Sequence, residues 1–295
     1  MGPAQSAGLA AASDVTIAQS VPARSVRGGW LRGVGEYLRP QEPIPRQTYL
    51  AILIASAGGL IALWCVVTYA GLVEPLFLPS PTAIFRSGAE MTADGSLLQN
   101  AGASLYVIVT GWSLAVVAGV PVGILMGSFK AVEALIEPMI DFVRYLPVSA
   151  LIPLLILYIG IGTSEKIAVI FIGTFFQLVL LVADVAAHVP REQIDVSYTL
   201  GASRAQVIRR VLLPATLPGV MDTLRITMGW AWTYLVVAEL VSADRGLGYL
   251  ILNSMRGLFT DRIFVGLLVI GGLGLGFDLL FKWLHRRLLP WSPKA

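Results

Sequence analysis

Long runs without a charged residue alternate with short polar segments along this chain. Residues 47–73 carry no charge, and Pro75 and Pro79 close the run. An α-helix needs about 20 apolar residues to cross a bilayer, so 47–73 is expected to be a first span. A second charge-free stretch, 95–129, is expected to hold span 2 from Ala101 to Met126. Pro121 lies inside it as a kink that neighbouring helices accommodate. Glu133, Glu137, Asp141 and Arg144 then mark a polar segment. Span 3 is expected over Tyr145–Ile161, broken by Pro147 and Pro153, and Gly160, Gly162 and Thr163 form a turn. Span 4 follows at Ile167–Ala186, span 5 at Pro218–Val241 and span 6 at Ile263–Leu284. Residues 187–213 and 242–262 read as polar loops.

The pattern therefore predicts an all-α membrane protein with six transmembrane helices. A tail, 1–46, precedes span 1 (47–73); a core, 95–286, holds spans 2–6; a second tail, 287–295, ends the chain. Residues 1–23 are rich in Ala, Ser and Gly and read as disordered. Trp30, Val34 and Leu38 share one helical face, which suits a helix lying on the membrane surface. Gly28, Gly29, Gly33 and Gly35 argue equally against a stable helix there.

Composition supports the membrane assignment. Of 295 residues, 56% are hydrophobic and only 13% charged, against about 25% charged in soluble domains. Net charge is +3. Five arginines precede span 1, four lie between spans 4 and 5, and Lys282, Arg286, Arg287 and Lys294 follow span 6. Basic residues accumulate on the cytoplasmic side of membrane proteins, so both termini and the 187–214 loop are expected in the cytoplasm. The basic residues are scattered and not interleaved with aromatics, so no nucleic-acid partner is expected. A single cysteine, Cys65, excludes an intrachain disulfide. His188 and His285 lie far apart and outside any Cys/His/Glu set, so neither a metal site nor a catalytic constellation is expected.

The loop between spans 4 and 5 parses into two short helices. The first runs from about Arg191 to Leu200, and Gly201 stands where a left-handed C-cap is wanted. Ser203 followed by Gln206 is a capping-box start for the second, and Pro214 limits its continuation. Ile194, Tyr198 and Leu200 offer an apolar edge. Such an edge suits docking into the groove of a soluble partner. It equally suits an amphipathic loop resting on lipid headgroups.

This loop resembles the "EAA" signature of permease subunits of binding-protein-dependent ABC importers. That signature is Glu-Ala-Ala, three residues, Gly, nine residues, then Ile-x-Leu-Pro. Here Asp195-Val196-Ser197 occupies the triplet, Gly201 follows, and Val211, Leu213 and Pro214 close it. The departures are Asp for Glu, Val-Ser for Ala-Ala, and Val for Ile. The resemblance extends over about 77–290. Phe77-Leu78-Pro79-Ser80-Pro81, Glu137-Pro138, Arg144-Tyr145-Leu146-Pro147, Gly160-Ile161-Gly162 before Lys166, Ala238-Glu239 and Gly246-Leu247-Gly248 all carry it. Together they resemble the branch that takes up nitrate, bicarbonate, taurine, alkanesulfonates and similar small solutes.

The resemblance implies a type I importer permease fold, with 187–214 as the coupling loop. Ile194, Asp195, Ser197, Tyr198, Gly201, Ala202, Ser203, Val211, Leu213 and Pro214 then face the ATPase. It implies a second permease subunit (a homodimer), two ATPase subunits, an extracytoplasmic binding protein, and a place in the bacterial cytoplasmic membrane. The chain has no Gly-rich loop ending in Gly-Lys-Ser/Thr. It is thus expected to bind no cofactor itself, the ATP being used by the partner subunit.

Charges inside spans cost about 2.5–3.5 kcal/mol each on insertion scales and face protein or water. Asp222 and Arg225 are three apart and pair on one face of span 5, as an inner gate or as a structural ion pair at headgroup level. Glu239 near the outer end of span 5 lines a pore mouth, contacts the binding protein, or fixes helix packing. Trp230, Trp232 and Tyr234 line a pore, form an interfacial belt, or pack against neighbours. Asp184 and Asp278 read as interface residues. Gly271, Gly272, Gly274 and Gly276 suit close helix packing within or between subunits. The competing reading is a secondary transporter driven by an ion gradient, with Asp222, Arg225, Glu239 and Asp278 as coupling sites. It predicts internal repeats, and none is evident.

Overall fold

The computed structural model describes residues 44–242 and 244–292. The surface helix expected around Trp30, Val34 and Leu38 lies outside them. The described residues are helical, with turns and no strand. The chain divides into two units, Met1–Leu60 and Ile61–Ala295. In the first, the described part is the apolar opening of α1 (Arg46–Tyr69).

Helix α1 ends four residues before the expected limit. Gly71 takes φ +70°, and the N–H groups of Gly71 and Leu72 reach back to the carbonyls of Thr68 and Val67. This doubly bonded glycine cap stops the helix before Pro75 is reached. Next comes α2 (Pro81–Ala93), which starts on a Ser80 cap with proline in its first turn. Its Ile84 and Met91 pack against Leu250 and Val265.

Helix α3 (Ser96–Ser128) continues through Pro121 and is longer than expected for span 2. It pairs with α6 (Thr163–Ala187) more extensively than any other two helices do. The reason is a row of small residues at every fourth position: Gly111, Ala115, Gly119, Gly123 and Gly127. A Cβ on Gly123 would lie 2.7 Å from the Val179 carbonyl oxygen, and one on Gly127 would overlap that of Ala183. Backbones approach this closely only where side chains are absent. By contrast, a Cβ added to Gly271, Gly272 or Gly276 would meet nothing of the described chain within 4 Å. The close packing among the described residues therefore falls on a different glycine row from the one singled out in the sequence.

The polar segment after α3 is a helix, α4 (Lys130–Arg144), whose Val132, Ile136 and Ile140 face α6 at four-residue spacing. Pro147 has no N–H and disfavours helix in the residue before it, so α5 (Val148–Ile159) starts anew and meets α4 at 94°. Twelve residues rise only about 18 Å, short of the ~30 Å hydrocarbon core. Tyr145–Ile161 is thus not a span by itself; α4 and α5 qualify only as a bent pair.

After α6 come α7 (Arg191–Thr199) and α8 (Arg204–Val207), then a π turn at Ile208–Leu212 that leads into α9 (Leu213–Ser242). Pro214 does not end the second short helix, as its chemistry suggested. Its missing N–H and its ring's clash with the preceding turn are absorbed where the helix widens just before it. The expected polar loop 242–262 contains α10 (Leu247–Arg256), which buries Leu247 and Leu250. Helix α11 (Thr260–Leu288) completes the chain. Among the described residues, α1, α3, α6 and α11 are long and apolar enough to cross a membrane, and the α4–α5 pair makes a fifth candidate. Helix α9 has the length, at 30 residues, but carries Asp222, Arg225 and Glu239.

Candidate functional site: an exposed helix–turn–helix and the charges of α9

The α6–α9 connection presents α7 on an exposed arm; no α7 residue is buried. Its turn is built by a glycine cap like that of α1. Gly201 sits at φ +82°, its N–H bonds to the Tyr198 carbonyl at 2.9 Å, and the Ala202 N–H bonds to that of Ser197 at 3.0 Å. Ser203 then opens α8 with a reciprocal capping box: the Ser203 N–H donates to Gln206 Oε1 at 2.8 Å and the Gln206 N–H to Ser203 Oγ at 3.4 Å. Both ends of the turn are satisfied by local chemistry alone.

The apolar face is not quite the expected one. Ile194 and Ser197 are half-buried, turned inward. Val196, Tyr198 and Leu200 are outward, with Leu200 83% exposed. Val196 and Leu200 are one turn apart and form the outer edge. Ala202 is half-buried and Asp195 and Ser203 exposed; Val211, Leu213 and Pro214 are half-buried at the root of α9.

Arg225 of α9 pairs with Asp278 of α11, and Lys282 joins the same carboxylate at 2.8 Å. Asp222 lies 3.8 Å from His285 Nδ1, and the other ring nitrogen of His285 faces Ser292 Oγ at 3.3 Å. The charges at this end of α9 thus work between helices, a relationship that sequence spacing does not reveal.

At the other end, Glu239 is 1% exposed. Ser104 Oγ donates to its Oε1 at 2.7 Å, and the Gly248 N–H donates to its Oε2 at 2.7 Å. Ser104 Oγ in turn accepts from the Leu247 N–H at 2.8 Å, and Asn100 Oδ1 from the Gly246 N–H at 2.8 Å. The carboxylate therefore caps the first turn of α10, where backbone N–H groups lack helical partners, and ties it to α3. A Cβ on Gly246 would overlap Glu239 Oε1, and one on Gly248 would lie 2.7 Å from Glu239 Cβ. The glycines flanking Leu247 are what let the carboxylate in. Nearby, Ser242 donates to buried Glu165 at 2.7 Å, and buried Lys166 lies 3.8 Å from Asp244.

The aromatic residues of α9 separate. Trp232 is in the core, Trp230 is 38% exposed, and the Tyr234 ring occupies the space that a side chain on Gly173 would fill, 2.7 Å away. The described residues bring no three metal-ligating side chains together.

Residues 119–290 match the binding-protein-dependent transport system inner membrane component family. The chain belongs to this family. The permease is 35% identical over 254 residues to the taurine transport system permease protein of Escherichia coli, covering 84% of this chain and 92% of that one. It is 32% identical to a putative aliphatic sulfonates transport permease protein of Bacillus subtilis, over 79% and 84% of the two chains. In fold it resembles the inward-facing MetNI methionine ABC transporter, with TM-score 0.59 and 21% identity over 66% of this chain and 97% of that one. It is a membrane permease of a binding-protein-dependent ABC importer.

Proposed function

We propose that the permease moves a small solute of the taurine, alkanesulfonate, nitrate or bicarbonate class into the cytoplasm, two copies forming the pore. Two separate ATPase subunits drive it, and an extracytoplasmic binding protein feeds it. The spans are α1, α3, the α4–α5 pair, α6, α9 and α11. Both termini and the α7–α8 arm lie in the cytoplasm of a bacterial cell, as the Lys/Arg distribution favours.

The observation that carries this reading is the α7 arm. A nine-residue helix would be marginal alone in water. Here it is capped at Gly201 and exposes Val196, Tyr198 and Leu200. That is a preformed apolar helix face offered to a groove. The arm leads through the π turn directly into α9, so a push on α7 reaches a continuous helix that also holds Arg225 and Glu239. ATP-driven closure of the ATPases would shift the arms and switch the pore between its inward- and outward-facing states.

Affinity purification of the permease in mild detergent tests the reading. A stoichiometric ATPase with vanadate-sensitive hydrolysis is expected to co-purify, and a Leu200→Glu variant is expected to insert normally but lose it. A chain that purifies alone and shows no ATP-driven uptake would sink the proposal.

A further inference from the structure

A cavity of about 250 Å³ lies among α4, α5, α6 and α9, away from the coupling arm. Arg144 and Tyr145 line it from the end of α4, Gly173 and Gln177 from α6, and Tyr234 from α9. Its depth is informative. Helix α6 runs Thr163–Ala187, so Gly173 and Gln177 bracket its midpoint. The cavity stands half-way along α6, a helix long and apolar enough to cross a membrane.

Three features of this place call for a ligand of particular chemistry. The first is the 94° break between α4 and α5. Non-helical backbone at membrane depth is tolerated only where it is buried in protein or lines a watery cavity. The second is Arg144, a half-buried guanidinium at that depth. Its Nε lies 3.0 Å from Asp141 Oδ1 and its Nη2 donates to the Tyr145 hydroxyl at 3.1 Å. A guanidinium has five N–H donors in a fixed fork, so these two contacts orient the fork and leave donors for a further acceptor. The third is the pair of neutral polar groups that converge with it. Gln177 stands between Phe176 and Leu178 on an apolar helix. Tyr234 reaches the wall because Gly173 has no side chain to exclude its ring. Helix α5 also begins at this wall, at Val148, and adds the positive end of its dipole.

We infer that this cavity is a subsite on the translocation path for a small oxyanion, a sulfonate, nitrate or bicarbonate group. It is held by the Arg144 fork and by the Gln177 and Tyr234 side chains. This rests on the importer reading above. A planar fork of donors matches the oxygens of such groups. Asp141 balances the arginine, which keeps the hold weak enough for release, as a conducting path requires. The subsite shares no lining residue with the pocket around Arg225 and Lys282.

The test uses the purified permease–ATPase complex without its binding protein, so that selection by the other chain does not enter. Its thermal stability is measured at constant ionic strength with taurine, ethanesulfonate, nitrate or bicarbonate added. Arg144→Gln, Gln177→Leu and Tyr234→Phe are compared with the wild type. At least one of these solutes is expected to raise the melting temperature, with the half-saturating concentration about tenfold higher in Arg144→Gln, as for loss of one charge-assisted hydrogen bond. Gln177→Leu and Tyr234→Phe are expected to weaken the response and to change its order across the panel, which a purely structural role would not do. If Arg144→Gln fails to assemble, those two variants decide. No response in the wild type, or an identical response and order in all variants, would overturn the subsite. Failure of the importer reading is seen separately, as an absent ATPase before any solute is added.

Discussion

Glu239 and Gly248 are nine residues apart and are joined by a 2.7 Å hydrogen bond from the glycine N–H to the buried carboxylate. With Ser104 donating to the other oxygen, one side chain binds α9, α3 and the start of α10. Both oxygens of Glu239 meet donors, so the side chain serves as a two-point acceptor.

Glu239→Gln keeps only one acceptor oxygen for two donors and turns an NH2 group toward the other. A buried donor without an acceptor costs about 1–3 kcal/mol. The variant is expected to lower the melting temperature of the purified permease, and Glu239→Ala, which orphans both donors, to lower it about twice as far. Unchanged melting in both would show that the α10 cap contributes nothing.

Asp278 faces two cations, Arg225 and Lys282. Asp278→Asn is therefore expected to destabilise more than Arg225→Gln, which leaves Lys282 in place. These side chains are 27–47% exposed, so the Arg225–Asp278 coupling in a double-mutant cycle is expected to be about 1 kcal/mol or less. Chemical denaturation of the four proteins in one detergent would measure it, and equal losses in the two single variants would contradict the shared-carboxylate geometry.

At Gly201 the obstacle to a side chain is conformation and not space, since nothing lies within 4 Å of a Cβ placed there. Asparagine visits positive φ more readily than other residues with a side chain. Gly201→Asn is expected to retain most ATPase co-purification and uptake, while Gly201→Val, strained by roughly 1–2 kcal/mol or more, loses them with membrane insertion intact. Equal behaviour of the two variants would mean that the left-handed turn is not what positions α7.

Two glycine rows give opposite expectations. Gly127→Ala drives a methyl group into the Ala183 carbonyl and should cost about 1–3 kcal/mol as overpacking. Gly272→Ala meets nothing in the described chain and gains helix propensity of about 1 kcal/mol. If the permease pairs with a second copy of itself through Gly272, as the proposed function allows, Gly272→Leu should shift it from dimer to monomer on size-exclusion chromatography while leaving the chain folded.

The apolar runs made α1, α3, α6 and α11 legible, because a bilayer demands length and lack of charge and both are local properties. The turn at Gly201 and the box at Ser203–Gln206 were legible for the same reason: each bond joins residues within six positions. The broken α4–α5 pair was only half legible. Pro147 announces an interruption, but the angle depends on Ile140 and Ile152 finding separate places on α6 and α9.

What sequence alone determined, then, is an all-helical membrane protein with a helix–turn–helix arm between α6 and α9, through hydrophobic length and capping chemistry. What only the tertiary structure decided is who meets whom across the bundle. Arg225 and Asp278 are 53 residues apart, and Ser104 and Glu239 135 apart. Helix spacing shows which residues share a face but not which helix that face will touch. Gly111, Gly119, Gly123 and Gly127 became the closest interface, and Gly271 and Gly272 did not, because backbone approach depends on the shape of the opposing helix. The cavity lined by Arg144, Gln177 and Tyr234 is of the same kind: three side chains on three helices, brought together at the bend between α4 and α5.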